Sequence, residues 1–225
     1  MAFSLDEIVP WGRSFDEYKG MFGLTEADLS GRILGCGDGP ASFNAEATQR
    51  GHRVVSCDPI YRFSAAQIER RVHETYETIM EELRPCVDNF IWDTYGSPEE
   101  LGQVRLAAMH TFLTDYERGK QKGRYVNASL PTLPFPDNSF DLALCSHLLF
   151  LYSDHLSLDF HTQAIEELCR VAKEVRIFPL LDLACKRSVH LNPLVSKLRG
   201  AGYEFGFVQV DYEFQKGAHT FLLVN

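Results

Sequence analysis

The stretch Arg32-Ile33-Leu34-Gly35-Cys36-Gly37-Asp38-Gly39-Pro40 decides the fold. Its short apolar run and alternating glycines are followed by a helical pattern over residues 41–50 and by a second apolar run that ends at Asp58. Glycines in such a loop permit positive φ and let a ligand approach the bare backbone. The pattern predicts strands over residues 32–36 and 53–57, which together form one nucleotide-binding half of a doubly wound sheet.

The spacing of the glycines separates two kinds of nucleotide site. The order here is G-x-G-x-G, whereas a dinucleotide fingerprint requires G-x-G-x-x-G. No basic residue stands in the loop, and Asp38 would repel a phosphate. Asp58 can accept hydrogen bonds from both hydroxyls of a ribose. The loop therefore favours a ribose-bearing ligand without phosphate. A nicotinamide-dependent oxidoreductase is the disfavoured alternative.

Two motifs in this order resemble those of class I S-adenosylmethionine-dependent methyltransferases: the loop 35–39 with Asp58, and the run 135–143, whose sequence is FPDNSFDLA. The resemblance implies an α/β, Rossmann-like, doubly wound and mostly parallel seven-stranded sheet, with helices on both faces and S-adenosylmethionine as the cofactor. The sequence departs from the family at Ile33, where an acid usually holds the methionine amine. A catalytically inactive protein that binds S-adenosylmethionine or S-adenosylhomocysteine is therefore the alternative.

The resemblance also implies roles for individual residues. Asn127 would accept a hydrogen bond from the adenine amino group. His147 and Tyr152 follow the fourth strand, where methyl acceptors meet the sulfonium, and are candidates for proton removal or substrate orientation. A core role for His147 is the alternative. The predicted cofactor-binding residues near the strand ends are Gly35, Cys36, Gly37, Gly39, Asp58, Pro59, Asn127, Ala128, Ser129 and Ser146.

Residues 1–29 are predicted to form an N-terminal helical lid over the cofactor. Ser14 and the following residues are typical of a capped helix start, with apolar residues on one face. Arg13 and Tyr18 would contact the cofactor, and Arg13 could meet a carboxylate of either the methionine or a substrate. The alternative is a helix that simply packs on the sheet.

Residues 62–122 are predicted to form a helical insertion after the second strand, because they far exceed an ordinary crossover and show apolar residues at helical spacing. An aromatic connector, residues 87–96, lies between two helical patterns. The insertion could close over a substrate or form a contact in a homodimer. In the alternative interpretation, Trp92 and Tyr95 only join the helices to the core.

Composition limits the functions that the chain can serve. Its 225 residues are 45% hydrophobic and fit a single methyltransferase-like domain over 1–225. The net charge of −9 disfavours a nucleic-acid partner, which needs clustered cations. No targeting or membrane-spanning pattern is present, and the six scattered cysteines are typical of reduced thiols and suggest no metal site. We expect a cytoplasmic enzyme that methylates a small molecule by in-line transfer, without membrane association.

Overall fold

A seven-stranded sheet forms the centre of the protein in the computed structural model, which describes residues 9–225. The spatial order is the third strand, then the second, first, fourth, fifth, seventh and sixth. The seventh strand runs antiparallel to the other six. This arrangement confirms the predicted fold class. In chain order the strands are β1 (Arg32–Cys36), β2 (Arg53–Cys57), β3 (Tyr125–Val126), β4 (Phe140–Ser146), β5 (Ala172–Phe178), β6 (Phe205–Gln209) and β7 (Thr220–Val224).

Helices cover both faces of the sheet because successive side chains of a strand point to opposite faces. In β1, Ile33 packs with the helices near the N-terminus, whereas Leu34 packs with the helices that follow β4 and β5. Both side chains are fully buried. The helices are α1 (Phe15–Phe22), α2 (Glu26–Ser30), α3 (Phe43–Gln49), α4 (Ala65–Leu83), α5 (Pro98–Gln121), α6 (Leu158–Val171) and α7 (Leu191–Gly200).

The strand order places a crevice at the carboxyl ends of β1 and β4. The chain leaves β1 toward β2 on one side and later returns to add β4 on the other side. Ligands of doubly wound sheets bind at such a switch point, because the two loops diverge there. The glycine loop after β1 and the segment after β4 therefore face the same space.

Between β2 and β3 the chain forms more than a single crossover helix. A short 3-10 turn, Pro59–Arg62, leads into α4, and a second 3-10 segment, Arg84–Asn89, precedes α5. Helix α5 packs against α3 and β3, as a crossover helix does, while α4 packs on α5. We infer that α5 is the ordinary crossover helix and that α4 and the connector after it are the insertion. The bounds of the predicted insertion, residues 62–122, stay a prediction.

The N-terminal segment is anchored to the rest of the protein. Ser14 caps α1 in a reciprocal capping box with Glu17. Phe15, Met21 and Phe22 of α1 are buried in the cluster on one face of the sheet. The first eight residues of the predicted lid 1–29 lie outside the described residues. Among residues 9–225, no helix is both long enough and apolar enough to cross a membrane.

Gly12 lies against the glycine loop, and no larger residue fits there. A Cβ atom at this position would overlap the backbone carbonyl group of Pro40. We expect Gly12→Ala to lower the free energy of unfolding by about 1–3 kcal/mol, because backbone atoms cannot move aside cheaply. Urea denaturation measures this loss. Gly200→Ala, where the space around the new Cβ is open, should be neutral or slightly stabilising; equal losses in the two variants would contradict the steric explanation.

Candidate active site at the carboxyl edge of the sheet

A cavity of about 460 Å³ opens at the carboxyl ends of β1, β2 and β4. One end is bounded by the glycine loop and by the polar residues that follow the strands. The rest of the lining consists of apolar side chains of the insertion and of the segments after β4, β5 and β6. This apolar wall consists of Ile79, Leu83, Phe90, Leu101, Leu151, Leu156, Phe160, Leu183 and Phe214.

The glycine loop presents bare backbone to the cavity. Gly37 and Gly39 have φ of 71° and 55°, a region that favours glycine. No atom lies within 4 Å of the position that a Cβ of Gly39 would take. A ligand can therefore approach the main chain closely at Gly39.

Asp58 stabilises this loop from the end of β2. Its carboxylate accepts hydrogen bonds from the backbone N–H groups of Gly39 and Ile60, at 2.9 and 2.8 Å. Burial raises the pKa of Asp58 to about 6, although both hydrogen bonds act in the opposite direction. Asp58 lines the cavity, where its remaining acceptor capacity suits the hydroxyl groups of a ribose.

Asp38 carries a second carboxyl group at the cavity, and it is buried. It was not among the predicted site residues. It accepts hydrogen bonds from the hydroxyl groups of Tyr18 and Ser56, at 2.8 and 2.6 Å. Burial raises its pKa to about 7, and the charge of Asp58 adds to this effect. Its only sequence signal was a carboxylate inside a glycine loop. Its partners lie 18 and 20 residues away in the chain, so no local pattern could identify them.

These two carboxyl groups give the ligand-free protein an unusual dependence on pH. The pKa of each is raised from an ordinary value of 3.8, so the folded state holds protons that the unfolded state has lost between about pH 4 and pH 7. We expect the free energy of unfolding to fall as pH rises through this window, by roughly 1.4 kcal/mol for each unit of pKa shift. Urea denaturation from pH 4.5 to 8 measures the slope.

Asp38→Asn provides the control for this prediction. It removes the group with the higher pKa, so the slope between about pH 6 and 7 should largely disappear. Glu17 affects stability in a different pH range. Its pKa is lowered from an ordinary value of 4.5 to about 2, so its contribution to the free energy of unfolding is lost only as pH falls below about 4.5. A slope that is unchanged in Asp38→Asn would contradict the assignment.

His147 and Tyr152 line the cavity beside Ser146. His147 has a φ of 53°, a conformation that is strained for a residue other than glycine. Its Nδ1 lies 2.9 Å from the Ser146 hydroxyl oxygen. Burial, with the nearby charges of Arg13 and Arg105, lowers the pKa of His147 well below its ordinary value. The imidazole is therefore neutral at physiological pH.

The hydroxyl of Tyr152 takes part in a hydrogen bond at the cavity wall. Its hydroxyl oxygen accepts a hydrogen bond from the backbone N–H of Val9 at 3.4 Å. Burial raises the pKa of this hydroxyl, which keeps it protonated and able to donate to a ligand. Tyr152 thus joins the N-terminal segment to the segment after β4 at the cavity wall.

The structure brings most of the predicted site residues together. Three lie elsewhere. A Cβ at Gly35 would overlap the carboxylate of Asp38, so this glycine makes room for Asp38 and not for a ligand. Cys36 is buried against Cys57, and Asn127 is exposed outside the cavity. The predicted residues that line the cavity are Arg13, Tyr18, Gly37, Gly39, Asp58, Pro59, Ala128, Ser129, Ser146, His147 and Tyr152.

A buried ion pair joins α1 to α5 behind the cavity wall. Nη1 of Arg105 donates to both carboxylate oxygens of Glu17. The hydroxyl of Tyr95, in the connector, also donates to Glu17, at 2.6 Å. Trp92 donates to a backbone carbonyl group of its own connector. Neither aromatic residue lines the cavity, so they join elements together and leave the cavity open.

Comparisons with known proteins indicate the family of this chain. A family model described as a methyltransferase domain matches residues 104–175. An uncharacterized protein of Methanocaldococcus jannaschii is 33% identical over 223 residues, which cover 99% of this chain and 98% of that protein. The chain belongs to the class I S-adenosylmethionine-dependent methyltransferase family.

Two solved methyltransferase structures show a more distant resemblance. A SAM-dependent methyltransferase from Aquifex aeolicus is 16% identical, with 92% of this chain and 91% of that chain covered and a TM-score of 0.44. Magnesium protoporphyrin IX methyltransferase from Synechocystis, solved with bound SAM, is 13% identical, with 93% and 89% covered and a TM-score of 0.44. Resemblances this weak do not indicate which residues bind or react in this chain.

Family membership implies S-adenosylmethionine as the cofactor, and the residues at the loop fit it. The open space at Gly39 admits a ligand against the backbone. Asp58 presents a carboxylate for the ribose, and Ala128 and Ser129 line the adjacent wall. Asp38 and Arg13 add one charge of each sign to the same cavity. This donor set suits a nucleoside that carries charged groups but no phosphate.

Proposed function

We propose that the protein transfers the methyl group of S-adenosylmethionine to a small, largely apolar acceptor. The observation that carries this proposal is the continuity of the cavity, which runs from Gly39 and Asp58 to the apolar wall of the insertion. The polar end suits the cofactor, and the apolar end leaves space for a second molecule. The net charge of −9 gives no support to a nucleic-acid acceptor.

When bound, the cofactor supplies a methyl group on a sulfonium, whose departure as a neutral thioether drives much of the reaction. The protein must hold the acceptor atom in line with the methyl group and exclude water. Positioning of this kind can lower the activation barrier by about 7–11 kcal/mol. The apolar wall, with Phe160 and Phe214, would orient the acceptor by excluding all but one pose.

His147 would receive a proton from the acceptor when the accepting atom carries one. The Ser146 hydroxyl lies 4.0 Å from the sulfur of Met21 and can donate to it. The Ser146 oxygen is then free to accept from Nδ1–H of His147, and this tautomer leaves Nε2 unprotonated. Since the imidazole is neutral and at the cavity wall, Nε2 can act as the base.

We expect His147→Gln to lower kcat by about ten- to a hundred-fold, at the low end of general-base effects, because the sulfonium needs little assistance. The affinity for S-adenosylhomocysteine should stay within about two-fold of the wild type, since His147 would act on the acceptor. His110→Gln is the matched control, since this histidine of α5 is exposed and lies outside the cavity. A kcat that His147→Gln leaves unchanged would contradict the base assignment.

Turnover assays with a panel of small phenols, carboxylic acids, amines and thiols test the proposal, with S-adenosylhomocysteine release as the measurement. We expect turnover with at least one apolar member. Binding of S-adenosylhomocysteine without turnover on any acceptor would favour the inactive binding protein. Tight binding of NAD in place of S-adenosylhomocysteine would overturn the assignment. The cavity that Trp92 and Tyr95 leave open supports the active enzyme.

A further inference from the structure

We propose that Asp38 and Arg13 hold the two charged groups at the amino-acid end of S-adenosylmethionine. In this proposal the carboxylate of Asp38 binds the ammonium group, and the guanidinium of Arg13 binds the carboxylate group. The inference rests on the proposed function, because it assigns residues to one end of its cofactor. It also identifies the group that replaces the acid missing at Ile33.

In the described part of the chain, the carboxylate of Asp38 has only neutral partners. Its two hydrogen-bond partners, Tyr18 and Ser56, are neutral hydroxyl groups. Within residues 9–225, no lysine, arginine or histidine forms an ion pair with it. Asp38 is only 7% exposed, yet it contributes to the cavity wall. A buried carboxylate in this position is stabilised by a ligand that brings a positive charge.

Arg13 lines the same cavity and carries the opposite charge. Its Nη1 donates to the backbone carbonyl of Trp11 at 3.2 Å, and its buried Nε has no hydrogen-bond partner in the described part of the chain. The carboxylate of Glu17, whose charge acts on Arg13, already binds Arg105, Tyr95 and the backbone of Ser14. A partly buried guanidinium that has no anionic partner among residues 9–225 is stabilised by a ligand that brings a negative charge.

Tyr18 connects the two charged groups. Its hydroxyl donates to Asp38, and the charge of Arg13 also acts on it. Asp38, Tyr18 and Arg13 all line the cavity next to the glycine loop. A single ligand that carries an ammonium and a carboxylate on one carbon would satisfy both unpaired charges at once. The amino-acid end of the cofactor has this chemistry.

The position of Asp38 explains how the chain can dispense with an acid at residue 33. Ile33 is fully buried in an apolar cluster. Residues two apart in a strand point to the same face, so Gly35 shares the face of Ile33. The carboxylate of Asp38 fills the space that a side chain at Gly35 would take. The negative charge is thus placed on the same face, closer to the carboxyl edge of the sheet.

The test compares four nucleosides by calorimetric titration. S-adenosylhomocysteine carries both charged groups, and 5′-methylthioadenosine carries neither. The 3-aminopropyl thioether of 5′-thioadenosine keeps only the amine, and the 3-carboxypropyl thioether keeps only the carboxylate. The variants are Asp38→Asn and Arg13→Gln, which remove the charges at similar volume. Thermal unfolding of each variant checks that it is folded.

We expect Asp38→Asn to weaken binding of the two amine-containing nucleosides by about ten-fold or more, and of the other two by less than about two-fold, since only a charged hydrogen bond is lost. Arg13→Gln should show the same pattern for the two carboxylate-containing nucleosides. Each variant should thus weaken the binding only of the nucleosides that carry the group it contacts. This selectivity distinguishes ligand contacts from a structural role, because a distorted loop would weaken the binding of all four nucleosides.

Three outcomes would overturn the inference. Equal losses for all four nucleosides would show that Asp38 and Arg13 only support the loop. An unchanged affinity of Asp38→Asn for S-adenosylhomocysteine would place the ammonium elsewhere. Equal wild-type affinities for S-adenosylhomocysteine and 5′-methylthioadenosine would show that the charged end is not recognised, while the proposed function would stand. Wild-type protein that binds neither nucleoside would instead contradict the proposed function itself.

Discussion

Replacing Arg105 with methionine is expected to lower the free energy of unfolding by about 3–5 kcal/mol, because it leaves a buried carboxylate without its cation. Arg105 is 1% exposed, and its partner Glu17 is 7% exposed. The guanidinium overcomes the effect of burial and lowers the pKa of Glu17 to about 2. The ion pair holds α1 against α5, so its loss should also loosen the cavity wall. Urea denaturation at pH 7 measures the effect.

The double variant Glu17→Gln/Arg105→Met tests the cause of this loss. Removing both charges of a buried pair is often nearly neutral, so the double variant should recover most of the lost stability. Lys197→Met is the matched surface control, since its ion pair with Asp159 is exposed. It should cost less than about 1 kcal/mol. A double variant as unstable as Arg105→Met would show that packing, and not the unpaired charge, is responsible.

Asp58→Ala is expected to weaken the binding of S-adenosylhomocysteine by about a hundred-fold or more, because a charged acceptor contributes roughly 1.5–3 kcal/mol per hydrogen bond. Two effects combine in this variant. The ribose loses its acceptor, and the N–H groups of Gly39 and Ile60 lose the carboxylate that positions the loop. Calorimetric titration of the purified protein measures the change.

Two controls accompany this prediction. Asp58→Asn keeps one acceptor oxygen at the same place and should bind more tightly than Asp58→Ala. Asp211→Ala removes an exposed carboxylate outside the cavity and should leave the affinity within about two-fold of the wild type, since surface charges away from a site contribute little. Binding that survives in Asp58→Ala would exclude the ribose contact.

Local sequence patterns were enough to predict two central strands and the start of the first helix. The strands at 32–36 and 53–57 have the predicted bounds, because each short apolar run there is followed by a glycine or an acid. Ser14 caps a helix as predicted, since a cap needs only the residues of the first turn. The glycine loop and Asp58 followed from the same local spacing.

The packing of separate elements sets which charges at the cavity lack an ion-pair partner within residues 9–225. Asp38 meets Tyr18 of α1 and Ser56 of β2, and Glu17 is taken by Arg105, 88 residues away. Among residues 9–225, Arg13 then has no carboxylate as an ion-pair partner. Asn127 has suitable chemistry but is exposed. Periodicity and spacing describe neighbours within one element, whereas these contacts depend on how separate elements pack on the two faces of the sheet.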